Sequence, residues 1–362
     1  MQPLTLYAGE RAYAHIRSSG LAAQDIAAVF GASGAAKWLT IYGLDKAVFS
    51  QWLPDSGQPI DLFGTSVGAF KLAAAAQSDP AAALSVLAQA YIDQRYAGKI
   101  TAEQVNRETR KILDSFLTPQ SIEQILVNPR YHYHCGSVRC RGLLASENAT
   151  AQKLAMVKAL LLSLAGRSKL NRTFERAIFF TANSTTGSLG EGSCNDGFTT
   201  HHVQLTARNF SAAVLSSGSI PVIMPGIADI EGAPVGVYRD GGLIDYHAVP
   251  DNVGRFDQGL VLYPHFYTYL KEGWFDKFMP WRRVPAARLQ NTIIIGPSEQ
   301  YVRSLPGGEI PDRQDFIRFK DNDEERIRRW SIARDMSESL GEAFLALVRS
   351  GEIANVVEPI PH

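Results

Sequence analysis

From Ala27 to about Leu262 short apolar runs alternate with helix-forming stretches, a pattern that points to a mostly parallel sheet wrapped by helices. The runs that read as strands are Ala27-Ala28-Val29-Phe30, Ile60-Asp61-Leu62-Phe63, Ala177-Ile178-Phe179-Phe180-Thr181, His201-His202-Val203-Gln204-Leu205 and Leu260-Val261-Leu262-Tyr263. Asn291-Thr292-Ile293-Ile294-Ile295-Gly296 adds another. Pro80 to Ala97 and Thr101 to Phe116 read as two helices of an insertion or cap. Thr150 to Leu164 reads as a leucine-rich core or cap helix with Lys153 and Lys158 on its polar side. Thr181 to Gly197 is small and polar, as in an exposed loop. From Asp321 to about Val348 the pattern predicts a charged, solvent-facing helix with a break at Gly341. The expected organisation is an N-terminal segment (1–25), an α/β domain (26–265) with a helical insertion at about 80–170, and a C-terminal extension (266–362) packed on that domain.

The most informative short motif is Gly64-Thr65-Ser66-Val67-Gly68. Pro59 leads into the apolar run before it, and Ala69-Phe70-Lys71-Leu72-Ala73-Ala74-Ala75-Ala76-Gln77, rich in strong helix formers, follows. A serine on a sharp strand-to-helix turn projects its hydroxyl into open space, and flanking glycines relieve the crowding. The helix N-terminus brings unpaired N–H groups and a positive dipole end beside developing negative charge. Upstream, the run ending at Phe30 opens into Gly31-Ala32-Ser33-Gly34-Ala35-Ala36-Lys37-Trp38 and a helical stretch through Ala47. A small-residue loop that caps a helix suits backbone N–H donors aimed at an anion. Downstream, strand-like Val235-Gly236-Val237-Tyr238-Arg239 runs into Asp240-Gly241-Gly242-Leu243-Ile244-Asp245.

Composition bounds the partners. The chain has 362 residues, 45% apolar and 20% charged, with 36 basic and 36 acidic side chains. A balanced charge argues against nucleic acid. Three cysteines, Cys135, Cys140 and Cys194, make no even disulfide framework and suit a reducing compartment. No stretch reaches the length of a membrane span, and residues 1–10 do not read as a signal peptide. The expectation is a cytoplasmic protein whose contact with membranes is at most peripheral.

Taken together, the three motifs resemble those of the patatin-like acyl hydrolases, in the family's order and over a span from about Val29 to about Ala248. Phe210-Ser211-Ala212-Ala213-Val214-Leu215-Ser216-Ser217-Gly218-Ser219-Ile220-Pro221 adds a small-residue helix of the family's kind before the aspartate strand. The resemblance implies a three-layer α/β/α core and a Ser66–Asp240 dyad that hydrolyses lipid carboxylic esters through an acyl-enzyme. It further implies an oxyanion hole from the N–H groups of Gly34 and Ala35, with Val67 as an additional donor. Gly31, Gly64, Gly68, Gly241 and Gly242 would shape the elbow and loops, and Lys37 would orient the glycine loop or attract an anionic head group. It implies no metal and no organic cofactor. The chain departs from the family loop, which is usually three glycines, a variable residue, a basic residue and a glycine. Here Ser33, Gly34, Ala35, Ala36, Lys37 and Trp38 stand there, and a positive φ at Ser33 or Ala35 would strain the hole.

Other readings stay open at this level. A Ser-His-Asp triad could recruit His247 or His265 for small soluble esters, with His247 otherwise a part of the site wall. A patatin-like fold could bind lipid without turning it over. Tyr131-His132-Tyr133-His134-Cys135 with Cys140 matches no strong zinc spacing and reads as ordinary strand, as does His201-His202. Gly31-x-x-Gly34 lacks the third glycine of a dinucleotide turn. Eight aromatics between Tyr263 and Arg283, interleaved with Lys271, Lys277, Arg282 and Arg283, suit either a lipid interface or a packed segment with snorkelling cations.

Overall fold

The apolar runs become strands of one mixed, mostly parallel sheet. The computed structural model describes residues 2–96, 98–182, 196–254, 256 and 259–361. The strands are β1 (Leu4–Ala8), β2 (Ile26–Gly31), β3 (Ile60–Thr65), β4 (Tyr131–Cys140), β5 (Phe174–Phe180) and β6 (Thr200–Gln204). They continue with β7 (Ile227–Ala228), β8 (Val237–Asp240), β9 (Leu260–Pro264), β10 (Thr292–Pro297) and β11 (Glu358–Pro359). Across the sheet the order is β11-β1-β10-β9-β2-β3-β4-β5-β6, with β8 paired to β4 and β7 to β8. The run β10-β9-β2-β3-β4 is parallel throughout. Every residue of β3 is buried, as a strand covered on both faces requires. With its helices the fold is a three-layer α/β/α arrangement.

One sheet runs through all three expected segments. Residues 1–25 supply β1 and residues 266–362 supply β10, the two pairing antiparallel. The stretch 80–170 holds the helices α4 (Pro80–Ile92), α5 (Ala102–Phe116), α6 (Pro119–Leu126) and α7 (Ala149–Leu164), following α1 (Glu10–Ser19), α2 (Tyr42–Ala47) and α3 (Val67–Ala75). It is not purely helical, however, because β4 lies within it. His132 and His134, buried on β4, are sheet residues, His132 beside Asp61 and His134 stacked on Phe180.

β4 positions the site. Up to Gly136 one of its edges pairs in parallel with β3, and from Ser137 onward it pairs antiparallel with β8. Thr65 therefore faces Gly136 and Asp240 faces Ser137, so the C-terminal ends of β3 and β8 meet at consecutive residues of one strand.

The C-terminal helical region departs from the sequence reading. It forms two helices, Asp323–Met336 and Glu338–Ser350, that part at Ser337 and not at Gly341. Trp330, Ala333, Leu340 and Phe344 are buried, so the pair is a packed layer and not a solvent-facing rod. A Cβ on Gly341 would lie 2.4 Å from the Gly43 carbonyl oxygen, so this glycine serves close contact with α2. Cys135 and Cys140 are free, buried thiols, pushed up to about 12 by burial. Cys194 and most of the expected loop from Thr181 to Gly197 lie outside the described residues.

All nine residues of α3 are buried, including Lys71, whose ammonium donates to both Asp45 oxygens at 2.9 Å. Burial raises the Asp45 pKa, and Lys71 opposes that rise. Removing one partner leaves a buried charge without compensation. Asp45→Ala is expected to cost about 3–5 kcal/mol in guanidinium unfolding, with the Asp45→Leu/Lys71→Met double variant recovering most of it.

Candidate active site

Ser66 sits between β3 and α3 with φ 54° and ψ −131°, a conformation rare for a residue with a side chain. Close packing explains it. A Cβ on Gly68 would lie 2.1 Å from the Gly31 carbonyl oxygen, and one on Gly64 would lie 2.4 Å from the Gly68 carbonyl carbon. The first turn of α3 thus rests on the backbone ends of β2 and β3, and the chain can make that approach only by turning sharply at Ser66. The Ser66 N–H donates to Ser217 Oγ at 2.9 Å, and Ser217 Oγ donates to the Gly136 carbonyl at 2.6 Å. Ser217, the last residue of α8 (Phe210–Ser217), ties the turn to β4.

Ser66 Oγ donates to Asp240 Oδ2 at 2.8 Å. The other carboxylate oxygen, Oδ1, accepts the Gly242 N–H at 2.7 Å. Burial pushes the Asp240 carboxyl up to about 6; the Ser66 and Gly242 hydrogen bonds, and then Lys277 and Arg313, pull the other way. The Asp240 loop is fixed at both ends. A Cβ on Gly241 would strike the Gly136 carbonyl oxygen at 2.2 Å, and one on Gly242 would strike Ser33 Oγ at 2.6 Å. At the far end, Arg176, fully buried on β5, grips Asp245 through Nε at 2.7 Å and Nη2 at 2.9 Å. Thr65 Oγ1 joins the two halves, donating to the Asp245 carbonyl and contacting Ser33 Oγ, both at 2.8 Å.

The glycine loop contributes Gly34 and Ala35 at the start of a 3₁₀ turn, Ala35–Ile41. The Ser33 N–H is spent on the Tyr246 carbonyl. The N–H groups of Gly34 and Ala35 stand at the helix start, where no intrahelical partner exists, and both residues line the cavity that holds Ser66 and Asp240. Ala35 has φ 52°, so this position does carry the left-handed backbone that the departure from glycine puts under strain. Lys37 also lines the cavity and contacts Asp312. Its pKa falls to about 8, chiefly through burial and then Arg313, while the Asp315 carboxylate acts in the opposite sense. Trp38 does not narrow the site: it is buried in the core, edge-on to Tyr42.

The cavity has a volume of about 410 Å³. Its floor is polar: Ser33, Ser66 and Asp240. Its walls are Met156, Val157, Ile220, Pro221, Leu243 and Trp274, and Lys37, Lys277 and Arg313 gather on one side. Lys277 lies over the Tyr246 ring, 3.6 Å from its centroid. Burial first, then Lys37 and Arg313, lower its pKa to about 7. Lys277 is nevertheless partly open to solvent, its ammonium standing among the cations on the cavity side.

Neither histidine candidate reaches this centre. His247 and His265 are fully buried, pack edge-on to each other with centroids 4.2 Å apart, and do not line the cavity. His247 Nδ1 accepts the Lys271 N–H, and His265 Nδ1 accepts the Tyr267 N–H. Burial lowers both pKa values, His265 to about 3. His247 is a core residue, and it is Tyr246 that stands in the wall. No group of acidic, histidine and cysteine side chains among the described residues is arranged to hold a metal.

No protein-family model and no curated protein matches the chain. Residue patterns single out Ser66, Asp240 and the glycines; Arg176 and Arg313 come from distant segments and carry no local signature, while Thr65, Ser217 and Asp245 lie within the motifs but take roles that only the fold reveals. Lys277 carries a sequence signal only as one of the cations of an aromatic stretch. Two substitutions separate packing from strain. Gly68→Ala, whose methyl meets backbone, is expected to lower the melting temperature by several degrees or prevent folding. Ala35→Gly, which relieves a left-handed alanine but loosens the unfolded chain, is expected to change stability by no more than about 1 kcal/mol.

Proposed function

We propose that the chain is a serine acyl hydrolase of the patatin-like kind, acting on carboxylic esters of lipids through a Ser66–Asp240 dyad. The observation that carries the proposal is the direct 2.8 Å hydrogen bond from a strained, strand-to-helix Ser66 to a buried Asp240 inside an apolar-walled cavity. Serine needs a base to act as a nucleophile, and a carboxylate of ordinary pKa is a weak one. Burial makes Asp240 a stronger base, while its two hydrogen bonds hold it in line with the hydroxyl.

Ser66 Oγ attacks the ester carbonyl carbon as its proton passes to Asp240 Oδ2. The N–H groups of Gly34 and Ala35 receive the developing oxyanion. The bond to the alcohol oxygen then breaks, and that oxygen leaves with the proton held by Asp240. A water next gives its proton to Asp240 and attacks acyl–Ser66. Release of the carboxylic acid returns the proton to Ser66. No organic cofactor is needed for these steps. The apolar walls suit an acyl chain. Lys37, Lys277 and Arg313 crowd one another on one side, and an anionic group on the leaving part would relieve that repulsion.

The seated hydrogen bond between Ser66 and Asp240 favours a dyad over a triad, since neither buried histidine reaches either residue. A fluorophosphonate probe tests this reading. It is expected to label wild type, with Ser66→Ala and Asp240→Asn losing labelling by about a hundred-fold or more. Asp240→Asn removes a carboxylate that burial penalises, so at pH 7.5 its melting temperature is expected to equal or exceed that of wild type. Labelling that survives in Asp240→Asn would overturn the dyad.

The pH profile follows from the raised Asp240 pKa. The base works only when ionised, so kcat/KM for a short soluble ester is expected to fall as pH drops through about 6. A fall only near pH 4 would mean that burial does not tune Asp240 as described.

A further inference from the structure

α7 is turned inside out relative to an ordinary surface helix. Its buried residues are small or polar, namely Gln152, Ala155, Ala159 and Ser163. Of its large apolar side chains, Met156, Leu160 and Leu162 pack partly buried against the core, while four face outward: Leu154 is 63% exposed, Val157 56%, Leu161 61% and Leu164 49%. The spacing of three or four residues puts them in one stripe. A sequence apolar on most sides conceals this choice, which is why α7 reads as a core or cap helix from residues alone. Single exposed leucines are common, whereas a contiguous stripe is not.

A second segment extends the face. The 3₁₀ turn Trp274–Phe278 packs on α7, and Arg282 donates to the Ser163 carbonyl at 2.8 Å and to Ser163 Oγ at 3.1 Å. That tie sets Trp281, 71% exposed, and Phe278, 55% exposed, beside the leucine stripe. The charges here have one sign. Lys153 and Lys158 on α7, with Lys277 and Arg283, are exposed and form no ion pair among the described residues, Lys277 feeling Asp240 only across the cavity. Residues 149–164 contain no carboxylate, and Asp276 in 274–283 is buried and paired with Arg282 at 2.8 Å. A chain that is neutral overall thus carries a cationic, apolar face.

That face borders the cavity, since Met156, Val157 and Lys153 line the cavity that holds Ser66. Gln152 Oε1 accepts the N–H of Val222, a cavity-lining residue at φ 68°. No described helix is long and apolar enough to cross a membrane, so the stripe suits lying on a bilayer and not spanning it.

We infer that α7 and the Trp274–Arg283 segment form a docking face for an anionic lipid bilayer, with leucines and Trp281 entering the interface and lysines meeting acidic head groups. Cations matched to anionic lipid and an apolar stripe continuous with the cavity mouth select this occupant over a neutral surface. The inference deepens the proposed lipid acyl hydrolysis and rests on that reading for its purpose, but not for its test.

The test is flotation with vesicles of phosphatidylcholine alone or mixed with phosphatidylglycerol, alongside turnover of a short soluble nitrophenyl ester. Wild type and Ser66→Ala are both expected to float with the mixed vesicles, less so with phosphatidylcholine alone or at high salt. Leu154→Gln/Leu161→Gln/Trp281→Ala is expected to lose about ten-fold or more in vesicle partitioning, with melting temperature and soluble-ester turnover unchanged. Vesicle binding without ester turnover would sink the hydrolase reading and leave the docking face standing. Ester turnover with no vesicle binding by wild type, or equal binding by the triple variant, would overturn the docking face. Wild type that dimerises without binding vesicles, and becomes monomeric in the triple variant, would assign the face to a second copy of the chain and overturn it too.

Discussion

β4 holds the ends of two other strands at consecutive residues, and the candidate chemistry depends on that junction. β3 pairs with it as far as Gly136, and β8 begins its pairing at Ser137 with Asp240 opposite. Ser66, one residue beyond the end of β3, is therefore delivered beside Asp240 by sheet register and not by loop flexibility. Gly136 also takes the Ser217 hydroxyl, which receives the Ser66 N–H. A register slip of one residue along β4 would turn side chains to the opposite face and dismantle the dyad.

Around that junction the structure spends conformational freedom and solvation to hold two groups in place. The backbone contact among Gly31, Gly64 and Gly68 fixes Ser66 in a costly conformation, and Ala35 takes a similar one across the cavity. Asp240 is buried and forms no ion pair among the described residues, and burial pushes its carboxyl up to about 6. The Arg176–Asp245 pair anchors the far end of its loop. Strain and desolvation concentrated at one place are characteristic of sites under functional constraint.

Much of this was legible in the sequence where the signal is local. The glycines flanking Ser66, the aspartate ahead of Gly241-Gly242 and the apolar runs of β2, β3, β5, β9 and β10 all stand where residue patterns put them. Legibility fails where the signal is a relation between distant segments. β1 and β10 pair across almost the whole chain, so a segmented reading separated them. Lys277 and Arg313 reach the cavity from the C-terminal third of the chain, and nothing near them in sequence points there. Gly341 marks close helix contact and not a break, because a helix tolerates glycine where another backbone presses on it. On α7 the sequence holds apolar residues on most sides, and only its packing partners decide that the small ones go inward.

A working dyad would make Ser66 carry the acyl group covalently during turnover. The most direct measurement is rapid-quench mass spectrometry of wild type mixed with a short nitrophenyl ester, followed by peptide mapping. The expected result is a transient mass increase equal to the acyl group, confined to the peptide bearing Ser66 and appearing with a burst of nitrophenol. Nitrophenol release with no adduct at any time, or an adduct that maps to another residue, would contradict it.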